Sequence, residues 1–173
     1  MIKSYKPEFI TCSIYKWKYL LADNDVKKII INCLDWLVKE GRVEVYCFVI
    51  MPNHIHFIWQ IADNIPREKV QGAFFSFTAH EFLKYLRKNR PKFLEEFVVD
   101  KIDRKHQFWR RHALAKECFS SNFTKQKMDY IHLNPCKPKW KLAITPEQYE
   151  FLSASFYFNE DDRYTWLSHF GNI

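Results

Sequence analysis

Apolar positions along the chain switch between two rhythms. Glu8 to Tyr15, EFITCSIY, is rich in β-formers and partly alternating, which predicts a strand. Downstream, Val26, Ile29, Ile30, Cys33, Leu34 and Leu37 recur at three- and four-residue spacing, the repeat of one helical face. Asp23 or Asn24 is placed to cap that helix and Gly41 to stop it. Val43–Ile50 and His54–Ile61 are two further β-rich runs joined through Met51-Pro52-Asn53, and the Pro-Asn centre predicts a tight antiparallel hairpin. A second helical pattern runs from about Pro66 to Lys88, with Val70, Phe74, Phe77, Phe82 and Leu86 on one broad face. Arg87 to Arg111 mixes charge with aromatics and has no period, so it reads as loop with short structured pieces. Ala113–Phe119 predicts a fourth strand. Ser120 or Ser121 then caps a helix through Ile131 to about Leu133, which Pro135 helps to end.

The order strand, helix, strand, strand, helix, strand matches an α+β, ferredoxin-like split βαβ fold. Its antiparallel sheet would carry two helices on one face and the late helix bearing Tyr130 near the other. A length of 173 residues suits a single domain over 1–173, with a core over about 5–135 and a packing tail over about 136–173.

Composition narrows the chemistry. Three glycines leave no glycine-rich phosphate cradle, so phosphates would be handled by side chains or a metal. Five scattered cysteines without a CxxC pair read as reduced thiols, mostly core filler, and no signal peptide is visible, which together predict a cytoplasmic protein. The apolar runs are too short to span a bilayer. A formal charge of +7 favours a polyanionic partner, nucleic acid before acidic lipid. Ten basic against four acidic side chains fall between Lys84 and Arg111, so most of the excess sits in one segment. Arg87, Lys88, Arg90, Lys101, Arg104, Lys105, Arg110 and Arg111 are the candidate phosphate contacts there, and Phe108 and Trp109 the candidate stacking platforms for unpaired bases.

The candidate chemistry lies in VYCFVIMPNHIHFIWQ, residues 45–60. Burying imidazole is costly unless its nitrogens find partners. On a strand His54, His56 and Ile58 share one face while Ile55, Phe57 and Trp59 take the other, so both rings can converge on one cation. A second stretch, KQKMDYIHLNPCKPKW, places Tyr130 and Asn134 four residues apart on one helical face, with His132 turned away as a structural residue. Alone, each motif is better explained without chemistry: a pair of solvent-facing histidines, a packed tyrosine, an asparagine closing a helix.

Together, MPNHIHFIW and YIHLNP resemble the REP-associated tyrosine transposases, relatives of the single-tyrosine HUH transposases of small bacterial insertion sequences. The likeness spans about residues 5–157. It implies a metal-dependent endonuclease and strand transferase acting on single-stranded DNA next to a hairpin. Tyr130 would be the nucleophile, forming a 5′-phosphotyrosine link, and His54, His56 and Asn134 would hold a divalent ion. Two imidazoles favour a late transition metal, whereas phosphate chemistry with an amide ligand suits Mg2+ or Mn2+, which the resemblance implies. No membrane partner is expected, and monomer and homodimer both stay open. Two other readings stay open: a catalytically silent nucleic-acid-binding module on the same fold, and a hydrolase in which a water replaces the tyrosine.

Overall fold

The computed structural model describes residues 5–161 and 163–172; residues 1–4, 162 and 173 of the expected domain lie outside the described residues. In chain order the elements are β1 (Glu8–Ser13), α1 (Asn24–Lys39), β2 (Val43–Met51), β3 (His54–Ile61), α2 (Arg67–Asn89), α3 (Pro91–Glu95), β4 (Val98–Lys101), β5 (Arg104–His106), β6 (Leu114–Glu117), α4 (Ser121–His132) and α5 (Ala154–Phe158). Strands β2, β3, β1 and β6 form one sheet in that order, and every pairing in it is antiparallel. This is the split βαβ arrangement expected from the element order, with β4–β5 as a separate small hairpin.

Local chemistry explains the boundaries. Asp23 caps α1 by accepting from the Asp25 N–H at 3.0 Å, and Gly41, at φ +63°, supplies the left-handed turn that ends it. Pro52 and Asn53 are the two turn residues between β2 and β3, which sets Met51 opposite His54. One face of β3 then carries Ile55, Phe57 and Trp59 into the layer of α1 and α2, where Phe57 and Trp59 meet the ring of Phe74. Phe77, expected on the same face of α2, is exposed. Thr78 takes the inward position instead, its hydroxyl donating to the Phe74 carbonyl at 2.8 Å and accepting from the Trp109 indole at 3.0 Å.

The other sheet face is covered by α4 and by the tail. Ser120 caps α4, accepting from the Phe123 N–H at 3.2 Å, and the helix crosses β2 and β3. The tail closes the open edge of β2 through bridges at Val49–Leu152 and Val45–Leu167, satisfying main-chain groups that an edge strand leaves free. At the opposite edge β6 is four residues long and exposed throughout. Among the described residues no helix is long and apolar enough to cross a membrane, and the five cysteines are unpaired, four of them buried.

Candidate active site

Because side chains alternate along β3, the face opposite the α1–α2 layer presents His54 and His56 as neighbours, their ring centroids 4.8 Å apart. Tyr130, in the last turns of α4, sets its ring 5.2 Å from that of His56 and edge-on to Phe9 at 6.1 Å. Asn134 follows in the short 3-10 turn after α4. The four residues line one cleft of about 380 Å³, closed by Thr11, Ser13, Asn53, Trp17, Lys137, Lys139 and Trp140. The strand and the late helix therefore bring together the side chains that the two motifs single out.

Each imidazole has its inner nitrogen engaged. Thr11 Oγ1 pairs with His56 Nδ1 at 2.8 Å, and Asn53 Oδ1 with His54 Nδ1 at 2.7 Å. The Asn53 amide is oriented by a second bond, since its Nδ2 donates to the Trp17 carbonyl at 3.2 Å. Its oxygen therefore faces His54 and can only accept, so His54 carries its proton on Nδ1 and a lone pair on Nε2. Burial pushes His54 down to about 4, aided by Lys139 and Lys137, and pushes His56 down to about 3, aided by His54, Lys137 and Lys127. Both rings are thus neutral near pH 7, the form that ligates a cation.

Asn134 is 2% exposed, and its Nδ2 has no hydrogen-bond partner among the described residues. That nitrogen is a donor and calls for an acceptor such as a phosphate oxygen, while the amide oxygen is the end that can ligate a cation. Two imidazoles and this amide form a neutral, oxygen-and-nitrogen donor set that fits a divalent cation. Among the described residues no cluster of three His, Cys, Asp or Glu exists that could hold one by itself. Tyr130 is 41% exposed, open to an incoming phosphate, with the Lys137 ammonium 3.8 Å from its ring centroid and Lys127 at 6.0 Å. Burial draws the Lys137 ammonium below its ordinary range.

The basic segment behaves differently from expectation. Phe108 and Trp109 are 4% and 8% exposed, locked among Phe74, Phe75, Phe82 and Phe97, so they are core and not platforms for bases. Two adjacent aromatics can both point inward because this stretch is irregular backbone, outside the alternation of a strand. None of the eight basic candidates lines the Tyr130 cleft. Arg104 and Arg111 flank Asp103, Arg90 pairs with Asp23 at 3.7 Å and stacks on Phe93, and Arg110 stacks on Trp17 at the cleft rim. Arg87, Arg104 and Lys105, with His80 and His106, line a separate open groove of about 560 Å³ between α2 and β5. Lys88 and Lys101 are exposed. The cleft's own cations, Lys137 and Lys139, come from the tail, where NPCKPKWK carries the one sequence signal that pointed to them: basic residues directly after the Tyr-Asn motif.

No protein-family model matches the chain, and no curated protein matches it in sequence. Among solved structures it resembles that of a REP-associated tyrosine transposase bound to a REP hairpin, with a TM-score of 0.64 at 15% identity, over 97% of this chain and 86% of that one. A candidate transposase from Deinococcus radiodurans R1 superposes with a TM-score of 0.49 at 13% identity, over 75% of this chain and 90% of that one. The first likeness shows that the chain has the fold of a tyrosine transposase, the fold its two motifs led us to expect.

Proposed function

We propose that the chain is a DNA-processing enzyme of transposase type, cleaving single-stranded DNA beside a hairpin and rejoining it through a 5′-phosphotyrosine intermediate. The observation that carries this reading is the meeting of the Tyr130 and His56 rings at 5.2 Å, from elements far apart in sequence, in a cleft open to solvent. The hairpin in the similar solved complex supports the substrate class.

In the cleft, the Tyr130 phenol oxygen attacks the phosphorus of a phosphodiester as its proton is lost to solvent. The P–O3′ bond breaks, the departing 3′-oxygen takes up a proton, and the 5′-phosphate remains on Tyr130. The phosphodiester energy is kept in the tyrosine ester, so attack by a 3′-hydroxyl reverses the step without ATP. His54, His56 and Asn134 would hold the divalent ion, Mg2+ or Mn2+. When bound, such an ion supplies neutralisation of charge on the non-bridging oxygens. Three neutral protein donors leave the negative charge of the site to come from the phosphate itself. Lys137 and Lys127 stand beside the ring of Tyr130, where charge builds and is released.

The test is a single strand carrying a hairpin, incubated with protein and Mn2+ and run on a denaturing gel. A covalent adduct is expected that retains a 3′-end label, loses a 5′-end label and vanishes in Tyr130→Phe. Binding with no adduct under any flank sequence would leave a silent binding module. A free 5′-phosphate product persisting in Tyr130→Phe would assign the cut to water.

A further inference from the structure

Two indoles at the cleft mouth are left without a task by the tyrosine chemistry. Trp17 is 51% exposed, and Trp140, on the tail, is partly exposed. Their rings lie 6.4 Å and 5.6 Å from the ring of His54, so the pair brackets this histidine at the entrance to the cleft. Neither is free to drift. Trp140 is backed by Tyr19 at 6.2 Å, itself 57% exposed. Trp17 is held by its carbonyl on Asn53 Nδ2 and by the Arg110 guanidinium at 5.0 Å.

The backbone at Trp17 is strained as well. Lys16 and Trp17 stand at φ 54° and 57°, consecutive non-glycine residues in the left-handed region that L side chains avoid. Strain of this kind persists where the surroundings enforce it, and here it holds a large aromatic out in solvent beside the candidate cation site. Packing alone does not account for this, because about half of the residue stays in solvent. Two partly exposed, flat apolar side chains, Trp17 with Arg110 against it and Trp140 with Lys139 against it, at the mouth of a cleft that Lys137 also lines, suit a ligand that is flat on its faces and anionic along its edge.

We propose that Trp17 and Trp140 form a stacking subsite for one unpaired nucleobase of single-stranded DNA, next to the phosphate that Tyr130 attacks. This rests on the DNA-processing reading of the cleft and deepens it by naming what grips the strand. Arg110 and Lys139 take the phosphates on either side of the stacked base. Every nucleobase has a π-face, so the subsite tolerates sequence; a paired base has both faces covered by its neighbours, so the subsite rejects duplex. Selection for single strands is thereby built into the cleft mouth, the part that the mid-chain Phe108 and Trp109 do not supply.

Binding is measured by fluorescence anisotropy in a Tyr130→Phe background, so that no cleavage intervenes, with two probes: a 20-nucleotide dT strand and a 20-unit abasic strand of the same backbone. Trp17→Ala and Trp140→Ala should each weaken dT binding roughly 5- to 150-fold, the range of one lost base stack. Trp17→Phe, which keeps an aromatic face, should recover most of that loss. The abasic strand should bind both alanine variants as it binds the parent. Equal losses on the two probes would mean that the indoles only support the cleft's shape or charge, and no loss on either would mean that no base stacks there; each overturns the subsite while leaving the nuclease reading standing. Failure of the parent to bind dT at low salt would instead overturn the DNA reading and the subsite with it. Thermal midpoints within a few degrees of the parent confirm that the variants remain folded.

Discussion

At the residue scale the site depends on a side chain that acts through its neighbours. Asn53 sits in the β2–β3 turn, where it accepts from His54 Nδ1 with one end of its amide and donates to the Trp17 carbonyl with the other. One residue thus sets the ligating tautomer of His54 and tethers the strained segment at the cleft mouth. Such outer partners typically carry about 10- to 100-fold of metal affinity. Asn53→Ala should lower Mn2+ affinity by about that factor in titration calorimetry, whereas Asn53→Asp, which still accepts from Nδ1–H, should keep it. If the two variants bind Mn2+ alike, the tautomer argument is wrong. This role was not legible in MPNHIH, because Asn53 also suits a turn on conformational grounds alone. The pairing of the two histidines on one strand face was legible, since the strand period fixes it.

At the scale of elements, α4 is pinned to the sheet and the tail by a buried polar joint. His132, expected to turn away from Tyr130, does so: its Nε2 lies 3.1 Å from Ser153 Oγ and 3.3 Å from Cys47 Sγ, joining α4, the tail and β2. Burial pushes this imidazole from its ordinary 6.5 to about 4, against the opposing pull of Asp129 and Glu147. The sign follows from which state takes the proton first. As pH falls below 6.5 the unfolded chain protonates and the folded one does not, so stability is lost between about 6.5 and 4 and is flat for this group above 6.5. The full shift is worth about 3 kcal/mol. Between pH 7.5 and 4.5, urea unfolding of the metal-free protein should lose about 2 to 3 kcal/mol more than that of His132→Gln, which cannot titrate. Parallel losses would exclude His132 as the acid-sensitive joint. The elements around this joint were readable from the sequence because each buries one face. Hairpin β4–β5 was not, since its residues are almost all exposed or half-exposed and a strand with no buried face writes no alternation into the sequence. Phe77 misled for a related reason: helical spacing places it near the core row, but the Trp109 indole demands a hydroxyl there, and Thr78 provides it.

At the scale of the whole molecule two groups of basic side chains line separate grooves. Lys127, Lys137, Lys139 and Arg110 surround the Tyr130 cleft or its rim. Arg87 and Lys105 line the second groove, with Lys88 and Lys101 exposed nearby in sequence, while Arg90, Arg104 and Arg111 already have acidic partners. If the cleft takes the single strand and the second groove takes the duplex stem, the two sets answer to different parts of one substrate, and salt separates them. Each phosphate neutralised contributes a slope of about −0.7 in log K against log salt for single strands and about −0.9 for duplex. Four cleft cations give a slope of about −3 for an unpaired strand, and four more on a stem steepen it to about −6 for the same strand carrying a hairpin. Replacing Arg87, Lys88, Lys101 and Lys105 together by alanine should return the hairpin slope to that of the unpaired strand and leave the latter unchanged. Identical slopes for the two DNAs with the unaltered protein would remove the second groove from the interface and leave its charge to solubility alone.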